Sequence, residues 1–205
     1  MISMKSKLSY FIFIASLIFL IDVFLIHLIK YELDWVSTTL SWYAVGDKGY
    51  ILATGFCLFA SAEIACCVLL VLKARLPILY GPLFFSVAGI GALLATVFPV
   101  QSPTVDLVSR LPHIVGAIMQ FMFFPLALIA IYNYIQEGRI KRYTRLTATV
   151  TSLLFVVLLL LLFLRPIYEF AYYGLLQKID ILFITLWMVI FSFISIRSNI
   201  FKPDK

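Results

Sequence analysis

Few side chains in this chain can exchange a proton or grip a polar ligand, and most of them lie inside apolar runs. Glu63 sits near the middle of one such run, with Ala60 and Cys67 on its face at i−3 and i+4. Small neighbours of that kind point it at another helix rather than at lipid. An ionisable group at such depth costs about 2.5–3.5 kcal/mol on insertion scales, so it is a functional candidate by default. Glu63 therefore has two readings, a proton-accepting or ligand-contacting carboxylate, or a carboxyl bonded to a neighbouring helix. Asp22 is the second acid in a run, roughly 10 Å from the run's end, against roughly 20 Å for Glu63. The two acids are not level, so a close acid pair is not expected. The third constellation is a stripe, His113, Gly116, Ala117 and Gln120, aligned by i, i+3, i+4 and i+7 spacing. It places His113 at a rim and Gln120 roughly 10 Å deeper. A histidine there can titrate near neutral pH, bind a metal, anchor a headgroup, or open a helix by bonding a loop. His27 and Arg110 stand near the same end of their segments and complete the set of ligand-binding candidates.

Several chemistries are excluded. No Ser-His-Asp order, HExxH, P-loop or GxGxxG is present, so no catalytic residue is assigned and enzyme activity is not the expected role. His27 and His113 raise the thought of bis-histidine haem, but a single such pair does not support it. No cofactor and no metal site is expected. Cys57, Cys66 and Cys67 share one apolar run without a CxxC, which fits small packing residues rather than a disulfide framework.

The elements that must position these groups follow from composition. Of 205 residues, 63% are hydrophobic and 13% charged, with a mean hydropathy of +1.08. A soluble domain carries about 25% charged residues and has too little interior to hide so much apolar surface. The fold class is therefore all-α, a polytopic transmembrane bundle, because only helices and closed barrels satisfy their backbone in lipid. Runs long enough to span, about 20 residues each, occur at 8–29, 50–72, 77–98, 112–135, 146–164 and 179–196. All belong to one domain covering 1–205. The first run is about 22 residues, too long for the about 7–15 of a signal-peptide core, so it is read as a retained helix.

The net charge of +6 is distributed between the runs, which argues for topology and phospholipid contact rather than nucleic acid. Eleven Lys and Arg fall on one set of ends (Lys5, Lys7, Lys73, Arg75, the 139–145 cluster and the C-terminal group) against five on the other. Both termini are thus expected in the cytoplasm. The connection 30–49 holds Tyr31, Trp35, Trp42 and Tyr43, aromatics that settle at a membrane interface. Pro99 and Pro103 forbid one regular helix over 99–111. Small residues at Ala88, Gly89, Gly91, Ala92 and Ala95, and at Gly55, Ala62 and Ala65, mark the second and third runs as central. The fifth, nearly pure Leu, Val and Phe after residue 152, is expected to face lipid.

One further pattern combines these pieces. SWYAVGDKGYILATGF, a third run ending in VFP, the helix-opening His113 and the late YYGLLQKIDILFITLW together resemble a bacterial and archaeal membrane family catalogued as domain of unknown function number 998. The matching positions are Ser41, Tyr43, Ala44 and Gly46; Phe98 and Pro99; His113; and Gly174, Leu175, Gln177 and Lys178. Gln101 stands where that family often has an acid, with Asp106 the nearest substitute, and Lys178 stands where it often has Arg. The resemblance implies a bundle of about six helices with its shared residues at the outer side of an inner membrane, and no activity. A fainter likeness to eukaryotic multi-span families of lipid remodelling is fold-level analogy alone. The functional expectations are a protein that binds a lipid or other hydrophobic molecule at the outer leaflet, a non-catalytic accessory subunit of a membrane complex, or an intramembrane lipid-modifying enzyme. The expected partners are the bilayer, a bound lipid and a membrane-protein partner.

Overall fold

The computed structural model describes residues 3–74, 80–100, 107–136, 138–164, 170–197 and 200–201. Within them the chain forms α1 (Met4–Ile29), a one-turn α2 (Leu40–Tyr43), α3 (Gly49–Ala74), α4 (Tyr80–Val97), α5 (Leu107–Tyr132), α6 (Arg139–Leu164) and α7 (Tyr173–Arg197). All but α2 are long and apolar enough to cross a membrane. Each long helix packs on the next in the chain, and α7 returns to α1, so the six close into a ring.

Six antiparallel passes put the start of α1 and the end of α7 on one face. Lys73, at the end of α3, donates to the Ser195 carbonyl near the end of α7, a basic side chain capping a helix C-terminus. On the same face the chain after α7 folds back, where the Gln136 amides donate to the Ile200 and Phe201 carbonyls. We call this the terminal face and the opposite one the loop face.

The ring axis is filled differently in its two halves. Toward the terminal face it is closed by aromatic rings. Trp187 of α7 stacks on Phe85 of α4 and on Phe191, with centroids 5.6 and 4.5 Å apart, and meets Phe124 of α5 edge-on. Phe201 closes the stack beneath Phe191. The indole N–H reaches the Thr144 hydroxyl of α6 at 3.0 Å, so this large side chain is buried without an orphaned donor.

The small residues of α4 face its neighbours on both sides. A Cβ on Gly89 would meet the Ala60 carbonyl of α3, and one on Gly91 the Gly116 carbonyl of α5. In a ring, however, no helix is central: Leu83, Ile90 and Val97 leave α4 exposed on its outer side. The most buried spans are α3 and α7, at 50% each, and α6 is the least buried, at 22%. The lipid-facing expectation for the Leu-rich run thus matches α6.

The helix ends depart from the apolar runs. α6 and α7 begin seven and six residues earlier than their runs, at Arg139 and Tyr173. The run marks only the part that needs hydrocarbon, while backbone hydrogen bonding continues into the interface. α5 begins at Leu107, so Pro112 lies inside the helix rather than at its start. Pro77, the expected start of the third span, lies outside the described residues.

Candidate binding cavity

The loop face is built by two segments that hold each other. The chain between α1 and α3 folds onto the start of α7. Gly174 makes room, since a Cβ there would collide with the Thr38 and Ser37 carbonyls. The Leu175 amide then donates to the Val36 carbonyl at 2.7 Å. Gln177 Oε1 accepts from the Leu40 amide at 2.8 Å, satisfying a free N–H at the start of α2. The Lys178 ammonium donates to the Trp35 carbonyl at 2.8 Å and to that of Thr38, and lies over the Tyr43 ring. Tyr43 is buried between this cation and the His27 ring, 4.4 Å away, and its hydroxyl donates to the Leu33 carbonyl. Burial pushes the Tyr43 phenol up from its ordinary value, and the nearby Asp34 and Glu32 carboxylates add to this. Lys30 fixes the far side of α2 through the Val45 carbonyl. Asp34 ties the loop to itself by accepting from the Ser37 hydroxyl and from the Ser37 and Val36 amides, which hold its carboxyl below the ordinary value. The long connection is therefore docked, although Tyr31 and Trp35 remain exposed as interfacial aromatics do.

Between this roof and the aromatic floor lies a cavity of about 60 Å³ on the ring axis. Phe19, Phe56, Phe59, Phe121, Ile181 and Ile184 give it apolar walls, and Ser41 and Ala44 form part of the roof. Its polar groups are at fixed heights. His113 stands near the top of α5, and Gln120 lies two turns deeper on the same face. His113 Nδ1 lies 2.8 and 2.9 Å from the Ala95 and Phe98 carbonyls. Carbonyls only accept, so Nδ1 carries a proton and caps the end of α4, and Nε2 is the ring nitrogen left outside that contact. Gln120 donates to Glu63 Oε1 of α3 at 2.7 Å, with both residues buried. Glu63 Oε2 and Gln120 Oε1 are buried without a partner.

The candidates thus separate. His113 and Gln120 share one wall, and Glu63 stands behind Gln120 as its anchor, the interhelix bond being one of its two expected readings. Asp22 lies against Gly55 of α3, whose missing side chain accommodates the carboxyl, outside the cavity lining. His27 supports Tyr43 and donates from Nδ1 to the Val23 carbonyl, with Nε2 buried and unpartnered. Arg110 lies one turn before His113 with a buried, unpartnered Nε, and does not line the cavity. Gln101 and Asp106 lie outside the described residues.

Sequence reasoning missed Asp180 of α7, which is fully buried with both oxygens unpartnered. With the last helix read from 179, it passed for an end residue; a start at 173 reveals it as an acid inside a span. Counting seven residues along each antiparallel helix from the Trp187–Thr144 contact sets Asp180 level with Thr151 of α6. Gln177, legible in the sequence only as part of the family pattern, also lines the cavity.

Six membrane-spanning helices around a mostly apolar cavity define a polytopic helical membrane protein. The chain belongs to the family described as protein of unknown function (DUF998), whose model matches residues 13–194. No curated protein and no solved structure matches it.

Proposed function

We propose that the protein binds a lipid or other hydrophobic molecule in the axial cavity, within the leaflet at its loop face. The observation that supports this is a lining apolar over most of its area, interrupted by a few oriented polar groups, with the buried Trp187 and Phe124 rings one helical turn beneath Ile184 and Gln120. That is the composition of a small-molecule site, and the aromatic floor favours holding a ligand over passing it through. The volume is that of on the order of five waters, enough for a headgroup with its first carbons. Pro99 is both in the wall and exposed, which gives a longer chain a way out. By the excess of Lys and Arg at the terminal face, we further assign that face to the cytoplasm and the cavity to the outer leaflet of a cell membrane.

The accessory-subunit reading has less support, since the exposed Leu, Val and Phe of α6 are what lipid alone requires. An enzyme using His113 with Glu63 is disfavoured because Gln120 separates them in depth. Native mass spectrometry of protein released from gentle detergent tests the proposal. The expected result is an adduct of defined mass, lost in Ala117→Phe, which fills the cavity. A bare protein, or an adduct indifferent to that substitution, refutes it.

A further inference from the structure

The free polar atoms of the cavity are unequal in kind, and this selects a headgroup. At the floor, Gln120 is more than nine-tenths buried, and its amide nitrogen is held by Glu63. Its Oε1 is left as a buried acceptor with no partner. At the top, His113 Nδ1 is taken by the Ala95 and Phe98 carbonyls, so only Nε2 is left to meet a ligand, as an acceptor in the neutral ring. Thr96 gives its proton to the Ala92 carbonyl and so also presents lone pairs. Gln177 supplies the opposing donor through its amide nitrogen, since its oxygen accepts from Leu40. The described lining contains no Lys or Arg, and Lys178 is engaged outside it by the Trp35 and Thr38 carbonyls. Glu63 stands behind Gln120 and is not among the residues that line the cavity.

Resting on the binding role above, we propose that the ligand is an uncharged, hydroxyl-bearing amphiphile that enters head first, its O–H donating to Gln120 Oε1 and its chain running up past the phenylalanines toward Pro99. An anionic headgroup at the floor would bury its charge against the Gln120 acceptor with no Lys or Arg in the described lining, which is strongly unfavourable. The expected discrimination against a carboxylate of equal chain length is about tenfold or more.

The test uses Trp187 as the reporter. Tryptophan occurs three times in the chain, and Trp35→Phe with Trp42→Phe leaves Trp187 alone, just below the cavity floor. The purified full-length protein is titrated with 2-bromohexan-1-ol, 2-bromohexanoate and 6-bromohexan-1-ol, and quenching is followed. The expected result is saturable quenching by 2-bromohexan-1-ol, about tenfold weaker binding of the carboxylate, and shallower quenching when the bromine sits at the far end. A carboxylate that binds as tightly as the alcohol overturns the headgroup assignment while leaving a binding cavity in place; Arg110 would then be the cation to examine. Deeper quenching by the 6-bromo alcohol overturns the orientation. Absence of any saturable quenching removes the cavity reading and this one with it. In Glu63→Met/Gln120→Met, which removes both partners together, the alcohol is expected to bind about tenfold more weakly. Unchanged alcohol affinity in that folded variant overturns the role of Gln120.

Discussion

The Glu63–Gln120 bond makes a quantitative claim independent of any ligand. Both side chains are buried, and the amide nitrogen donates to Glu63 at 2.7 Å. Glu63→Met takes the partner from that amide; Gln120→Met leaves the carboxyl with no partner at all. Orphaning a buried polar group costs about 1–3 kcal/mol. Interhelical hydrogen bonds in membranes run lower in double-mutant cycles, about 0.6 kcal/mol on average and about 1.7 at most. Burial on both sides favours the upper part of that range. Each single substitution is therefore expected to cost about 1–2 kcal/mol, and the double to cost less than their sum by about 1–1.7 kcal/mol. The four proteins are compared by reversible unfolding in mixed detergent micelles, with Trp187 packing as the probe. Strict additivity would mean that the bond contributes nothing, and that Gln120 Oε1 has no fixed position from which to read a ligand.

Lys178→Met removes two bonds to loop carbonyls and the contact with Tyr43, and is expected to destabilise by about 1–2 kcal/mol, while Lys178→Arg keeps the charge and the donors; hydrogen exchange of the 35–41 amides separates the two. Asp34 has its carboxyl held below its ordinary value by Ser37, so its contribution is present above that ordinary value and is lost as pH falls through the lower, folded one. Loop exchange should accelerate only in that acid window, and Ser37→Ala should move the onset upward; an onset unchanged by Ser37→Ala refutes the link. Asp180→Leu replaces a buried acid with no partner and is expected to leave stability unchanged or raise it by about 1–3 kcal/mol. Unfolding measurements that show a large loss would reveal a partner for Asp180.

The spans and the class were legible because lipid thickness imposes a length and an apolar content that no soluble element shares. His113 and Gln120 were legible as one face because helical spacing is local. The tie between residues 35–40 and 174–178 was visible only as two motifs. Spacing cannot say that Gly174 admits the Ser37 and Thr38 carbonyls or that Gln177 caps α2, since these are contacts between backbone atoms far apart in sequence. Asp180 was lost for a different reason. Hydropathy finds the lipid-embedded part of a helix, and the interfacial turn from Tyr173 is too polar to register.

The pairing of Glu63 with Gln120 joins helices that are not neighbours in the chain, and the intervening α4 explains how. α3 and α5 flank α4 in the ring, and a helix with ordinary side chains between them would hold them roughly two interhelical distances apart, about 8–10 Å each. Instead Gly89 brings α4 against Ala60 and Glu63 on one side, and Gly91 brings it against Gly116 and Gln120 on the other. Both approaches are too close for a Cβ. The α4 glycines therefore act on the cavity without lining it. They let α3 and α5 close around α4 until two polar side chains meet at 2.7 Å. The stripe of small residues that looks in sequence like a generic packing device is what sets the height and orientation of the acceptor at the cavity floor.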